Sequence, residues 1–327
     1  MTFINVDSLL RKVRFIEIKG VSKKFGKDVV LQDVNLTIEQ GDIFGIIGKS
    51  GSGKTTLLNL ISGFLDPSQG AVSYVSSVDQ SEKDLHDHFK RIKRHIGFTP
   101  QHSAVYPKLT ILENLYHFGS MYGLKKETLQ RNAENLLHFT NLFQHKNKIS
   151  EQLSGGMLKR LDIACSLMHK PKLLFLDEPT ANLDPIMERD IINLIKAVNE
   201  QGITVVVASH HLESIERVSS KFAIIEKGVV QSYGDMDAVR KPYLQDTIRI
   251  NVRAGKDNTK VVEIAKELDV SRILDSGHQI TLFPTNTGST ITKLLQRLQD
   301  EGLSMDDIEL RKLSLKDVFH RITEAQE

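Results

Sequence analysis

Across residues 14–243 short apolar runs alternate with amphipathic stretches. Runs rich in β-branched and aromatic residues predict strands at 14–18, 34–38, 43–47, 70–75, 95–99, 172–176, 203–208 and 222–226. Between them lie helical periods, several with legible starts. Thr110 followed by Glu113 forms a capping box that opens a helix over 111–122. Asp184 before Pro185 gives an N-cap followed by proline at the first helical position, and Gly202 stops that helix. Strand alternating with helix predicts an α/β domain on a mostly parallel sheet. Between His102 and Gln152 the strand signal vanishes, and helices over 111–122 and 126–139 predict a helical insertion, about 102–155. The charged stretch 82–94 is expected to be a solvated insertion. Its His86 and His88 offer imidazoles for a metal, but no further ligand pair supports that use.

From about Leu244 the texture changes. Strands at 248–252, 271–274, 279–283 and 307–310 and helices at 260–268, 290–300 and 315–323 follow in the order β-α-β-β-α-β plus a last helix. That order predicts a small ferredoxin-like α+β module. The expected domains are an extension over 1–13, an α/β domain over 14–243 and the module over 244–327. The apolar residues Phe3, Ile4, Val6, Leu9 and Leu10 make the extension either a short membrane-surface helix or a frayed end.

Composition narrows the class. At about 150 residues per domain, a chain of 327 holds two, each able to bury a core. The 43 Lys and Arg against 41 Asp and Glu leave a net charge of +2, which gives no warrant for a nucleic-acid or membrane surface. No run approaches the about 18 apolar residues of a membrane span, the N-terminus lacks a signal-peptide pattern, and the single cysteine, Cys165, cannot form an internal disulfide. A soluble chain in a reducing compartment is expected.

The strongest chemical signal is Gly48-Lys49-Ser50-Gly51-Ser52-Gly53-Lys54-Thr55-Thr56, between a strand and a helix. It fits the phosphate-loop pattern in the context that the pattern requires. Glycines let successive backbone N–H groups turn inward as an anion nest at a helix N-terminus. Lys54 supplies charge for the β- and γ-phosphates, and Thr55 a hydroxyl for Mg²⁺. A second signal is the apolar strand 173–176 ending in Asp177 and Glu178, which places two carboxylates at the sheet edge where α/β ligands bind. There Asp177 would hold Mg²⁺ through water, and Glu178 would polarise an attacking water. Together the two signals specify ATP or GTP hydrolysis. A third is Ser154-Gly155-Gly156, opening a helix with Leu158, Leu161, Cys165 and Met168 at helical spacing. Ser154 is either a plain N-cap or part of a second phosphate site. One nucleotide does not need two such sites in one domain, so the second use implies a nucleotide sandwiched between two copies.

These residues carry a resemblance to the ATPase subunits of ABC transporters over residues 14 to about 235. Residues 48–55 resemble Walker A, Ser154-Gly155-Gly156 the signature motif, and 173–178 Walker B. The resemblance implies that Gln101 is the Q-loop glutamine near Mg²⁺ and water, and that 181–184, with Asp184, is the D-loop. It also implies that His210 is the switch histidine and that Phe25 stacks on adenine. Phe25 would otherwise pack in the core, Gln101 would be a solvated loop residue, and Asp184 only a cap. Met157 departs from the family's glutamine, and the D-loop begins Ala-Asn rather than Ser-Gly. The stretch 154–164 and the tail Leu313-Ser314-Leu315-Lys316-Asp317-Val318-Phe319 resemble the ABC-2-type exporter subset. The resemblance implies ATP and Mg²⁺ as cofactors and a homodimer, or a pair with a similar ATPase subunit. It further implies separately encoded transmembrane permease partners, no nucleic acid, and a place on the cytoplasmic face of the membrane. A soluble ATP-driven clamp or assembly scaffold is the competing expectation.

Overall fold

The computed structural model describes residues 13–75, 81–243, 247–251, 259–275, 279–301, 307–311 and 314–324. The expected extension, apart from Val13, lies outside them, as does Leu313 of the tail motif. Two compact units divide between Met236 and Asp237. The texture change near Leu244 comes later because helix Met236–Arg240, with Val239 fully buried, keeps the mixed pattern of the residues before it.

The first unit runs β1 (Arg14–Phe25), β2 (Asp28–Glu39), β3 (Ile43–Ile47), α1 (Lys54–Ser62), β4 (Gln69–Val75), β5 (Glu82–Asp84), α2 (Leu85–Ile92), β6 (Ile96–Thr99) and α3 (Ile111–Met121). It continues α4 (Lys126–Phe139), α5 (Gly155–Leu167), β7 (Leu173–Asp177), α6 (Pro185–Glu200), β8 (Thr204–Ser209), α7 (Leu212–Val218), β9 (Lys221–Glu226) and β10 (Val229–Gly234). The central sheet has the order β10-β9-β3-β8-β7-β6, parallel apart from the β9–β10 hairpin. Strands β3, β7 and β8 are buried at every position, as expected of strands covered on both faces. A second, antiparallel sheet, β2-β1-β4-β5, shares a core with α1 and the central sheet through Ile16, Leu36, Leu57, Ile61, Phe175 and Val206.

Two expectations change. Strands β1 and β2 run well past the predicted 14–18 and 34–38, closing in a two-residue hairpin at Gly26 and Lys27. Residues 24–29 are exposed, so no alternation marks them. The stretch 82–94 is not a loose solvated insertion. It holds β5 and helix α2, capped by Asp84, whose carboxylate accepts from His86 N at 2.8 Å. Leu85 and Ile92 are buried and Phe89 packs beside them, while charged residues cover the other face. Among the described residues no group of histidine, cysteine and carboxylate side chains has metal-binding geometry.

The helical insertion has its own core. Ile111 and Leu115 of α3, Ala133 and Leu137 of α4, and Leu161, Ala164 and Cys165 of α5 pack together with Met168. The helical layer therefore extends past residue 155. Cys165 is a buried hydrophobe there, and burial pushes its thiol well up.

The boundary falls just inside α8 (Met236–Arg240), and the second unit continues β11 (Thr247–Asn251), α9 (Thr259–Lys266), β12 (Val270–Asp275), β13 (Gln279–Pro284), α10 (Thr287–Asp300), β14 (Asp307–Arg311) and α11 (Leu315–Glu324). Its antiparallel sheet has the order β12-β13-β11-β14, the ferredoxin-like arrangement. Val261, Ile264, Ile280, Leu282, Leu294 and Leu298 form its core. The tail motif acts locally. Ser314 N donates to Asp317 Oδ2 at 2.8 Å, Asp317 N donates to Ser314 Oγ at 3.2 Å, and Val318 and Phe319 are buried.

Candidate nucleotide site

The loop 48–53 leaves β3 at its carboxyl end and enters α1 through Gly53, whose φ of 104° is open to glycine but strained for other residues. At Gly48 the constraint is space, since a Cβ there would collide with the Ile225 carbonyl oxygen. Lys54 is only 6% exposed, and its ammonium donates to the Gly48 and Lys49 carbonyls at 2.9 and 3.0 Å. Burial pushes the Lys54 pKa down, and the carboxylates of Glu178 and Asp177 oppose that shift.

A cleft of about 370 Å³ brings Ser50, Gly51, Gly53, Lys54, Thr55 and Thr56 together with Gln101, Glu178 and His210. Val30, which the sequence did not single out, forms part of its wall. Strand β7 ends at Asp177, and Glu178 follows with φ of 47°, a left-handed conformation costing on the order of 1–2 kcal/mol for a residue with a Cβ. Its backbone N–H donates to Ala208 O at 2.8 Å, tying it to β8. The Glu178 carboxylate is held at both oxygens. Oε1 lies 2.8 Å from His210 Nδ1 and 3.7 Å from Lys54 Nζ, and Oε2 accepts from Ser209 Oγ at 3.0 Å and His210 N at 3.3 Å. Ser209 thus belongs to the site. Its sequence signal is only its place at the end of β8, before two histidines.

Asp177 is 2% exposed, and burial pushes its carboxyl up, while a hydrogen bond with Thr55 pulls it down. Its Oδ1 is buried without a hydrogen-bond partner among the described residues. An orphaned carboxylate oxygen beside a threonine hydroxyl, with Gln101 on the same cleft, fits a hard, oxygen-seeking cation such as Mg²⁺.

The remaining predicted residues lie elsewhere. Phe25 is 47% exposed, which removes the core-packing alternative, and the Lys23 ammonium sits 5.1 Å from its ring centre. Asp184 caps α6, accepting from Ile186 N and Met187 N, both at 2.9 Å. Ser154 caps α5 by accepting from Met157 N at 3.3 Å, and Ser154 and Gly155 are exposed while Gly156 is buried against Met187. None of these residues lines the cleft that holds Lys54. Met157 turns its side chain into the helical core, which accounts for an apolar residue where a glutamine was expected.

Comparison with known proteins agrees with this geometry. The family model for ABC transporters matches residues 31–181. The methionine import ATP-binding protein MetN of Clostridioides difficile is 34% identical over 245 residues, which cover 74% of each chain. The chain belongs to the ABC transporter ATP-binding family. The linearmycin resistance ATP-binding protein LnrL of Bacillus subtilis is 28% identical over 310 residues, covering 94% of this chain and 98% of its own. A dimeric bacterial ABC transporter cassette, MJ0796, aligns with a TM-score of 0.59 at 32% identity, over 68% of this chain and 98% of that one. This ABC chain is therefore an ATP-binding subunit and an ATPase, and relatives that span both of its units are named for drug resistance.

Proposed function

We propose that two copies of this subunit close around two ATP molecules and thereby drive a separately encoded membrane permease, in the direction of small-molecule export. The observation that carries the closure is the split of the phosphate-binding groups. The cleft around Lys54 is one half-site, and the exposed N-terminus of α5 at Ser154 and Gly155 is another half-site outside it. Support for export comes from the Nod factor export ATP-binding protein I of Bradyrhizobium diazoefficiens, 30% identical over 68% of this chain, beside LnrL and the daunorubicin resistance protein DrrA3, which are named for drug resistance. Among the described residues no helix is long and apolar enough to cross a membrane, in keeping with a separate permease.

In this reading Lys54 and the loop N–H groups hold the β- and γ-phosphates, and the second copy's signature helix covers the γ-phosphate. Thr55 and Asp177, with Gln101 on the same cleft, would hold Mg²⁺, which would supply positive charge against the phosphates. Glu178 accepts the proton of the attacking water. Its carboxylate is already fixed by Ser209 and His210, so little reorganisation is needed when the reaction starts. His210 turns toward the γ-phosphate while its Nδ1 stays on Glu178, and Phe25 stacks on the adenine. Asp184 orders the turn that enters α6.

Affinity capture tests the reading. Tagged Glu178→Gln protein is recovered with Mg·ATP from detergent-solubilised native membranes, and a stoichiometric multi-span protein is expected with it. Recovery only from the soluble fraction, with a soluble protein or nucleic acid, overturns the transporter reading in favour of a clamp.

A further inference from the structure

The nucleotide chemistry leaves two buried charges on α5 unused. Lys159 is 8% exposed and Asp162 3% exposed, both within the helix that begins at Ser154. Burial pushes the Lys159 ammonium pKa down and the Asp162 carboxyl up, each moderated by the other's charge. Placing two such groups inside a protein is costly unless they are held by specific partners.

Their partners lie in one segment. Lys159 Nζ is 3.3 Å from the Gln101 carbonyl oxygen and 3.5 Å from that of Pro100. Asp162 Oδ1 accepts from Ser103 Oγ at 3.1 Å and from Ala104 N at 3.0 Å. One turn further on, Ser166 Oγ donates to Phe98 O at 2.9 Å and lies 2.8 Å from Thr99 Oγ1. Positions 159, 162 and 166 share one helix face. They hold the chain from Phe98 to Ala104 at three points, residues 98–99, 100–101 and 103–104, so the grip fixes both the place and the register of that segment.

Gln101 is the residue this segment delivers to the cleft. Residues 101–104 are exposed, and β6 ends at Thr99, so no sheet ladder holds Gln101 there. We infer that Lys159 and Asp162 are positioning residues that fasten the Gln101 loop to α5, so that the place of Gln101 in its own cleft follows the signature helix. The inference rests on the proposed role of Gln101. Because α5 also presents Ser154 to the second copy in that reading, engagement of one nucleotide would be felt at Gln101 beside the other. Coupling of this kind is reciprocal.

The test uses the purified full-length chain. It measures ATP hydrolysis at saturating Mg·ATP, the Kd of a fluorescent ATP analogue, and the thermal midpoint. Lys159→Met keeps the stem and removes the donors. It is expected to lower kcat about tenfold or more with Kd within about twofold, the pattern of a misplaced group rather than lost binding. Lys159→Arg keeps donors for the two carbonyls and recovers most of the rate. Ser103→Ala, at an exposed loop position that folding tolerates, removes one grip on Asp162 and lowers kcat by about two- to fivefold with Kd unchanged. A His102→Trp reporter, the only tryptophan in the chain, reads the loop directly, since the wild-type sequence has none. Its emission change on adding Mg·ATP should disappear with Lys159→Met.

An unchanged kcat in Ser103→Ala and Lys159→Met overturns the inference, as does a Lys159→Arg as slow as Lys159→Met. So does a loss that only tracks the thermal midpoint, for which Leu137→Ala, buried on α4 in the same helical core, gives the reference. Gln101→Ala separates the two levels. Full activity in that variant refutes the role of Gln101 itself, whereas an impaired Gln101→Ala beside a fully active Lys159→Met refutes only the fastening.

Discussion

Glu178 shows how one residue reconciles conflicting demands. A carboxylate only 5% exposed, on a left-handed backbone, is kept in place by Ser209, His210 and Lys54. Glu178→Gln preserves the size and an acceptor oxygen but removes the carboxylate proposed as the base. Turnover should fall at least about 10²-fold while ATP affinity stays within a few fold, checked by phosphate release and equilibrium binding. Lys54→Met should do the reverse and lose nucleotide binding first. His169 carries a different prediction. Its Nε2 lies 2.9 Å from Ile96 O, an acceptor, so the proton sits on Nε2, and buried Nδ1 has no partner among the described residues. Burial lowers its pKa from 6.5 to about 4. The unfolded chain therefore takes up the proton first as acid is added. The contribution of neutral His169 to stability is fully present above pH 6.5 and is lost as pH falls toward 4, by on the order of 3 kcal/mol. His169→Phe keeps a ring against Tyr122 and should flatten the melting temperature between those pH values, at a cost of about 1 kcal/mol at neutral pH.

Helix ends are where local sequence and site meet. Asp184 satisfies two N–H groups of α6 and stands in the stretch that resembles the family's D-loop. Asp184→Ala should cost about 1 kcal/mol in denaturant unfolding, whereas Asp184→Asn keeps the cap. A drop in turnover with Asp184→Asn at unchanged stability would then separate a nucleotide-linked role from capping. The same features explain what the sequence revealed. The phosphate loop, the Thr110 and Asp184 caps and the apolar strands β3, β7 and β8 are local patterns, so they were legible with nearly the right ends. The distal halves of β1 and β2 were not, because exposed residues such as Lys24 and Asp28 carry no alternation. Helix α2 was hidden by its charged face. The Glu178–Ser209 contact and the grip of α5 on residues 98–104 join segments far apart in the chain, and no spacing rule reports such pairs.

At the scale of the whole molecule the open question is assembly, and the geometry makes it decidable. If each copy holds only half of a phosphate site at its cleft and the other half at α5, damage at Ser154 must act in trans. Glu178→Gln with Mg·ATP is expected to double in mass by light scattering, since nucleotide is bound but not consumed. Ser154→Arg in that background places a bulky cation at the exposed N-terminus of α5, where the helix dipole already disfavours positive charge. The double variant should stay at monomer mass at every ATP concentration and yet bind ATP as tightly as its parent, because Ser154 does not line its own cleft. Weakened binding in the monomer would instead mean that both phosphate-binding elements serve one nucleotide within one chain. The sandwich would then fail, and with it the idea that ATP works here by joining two copies.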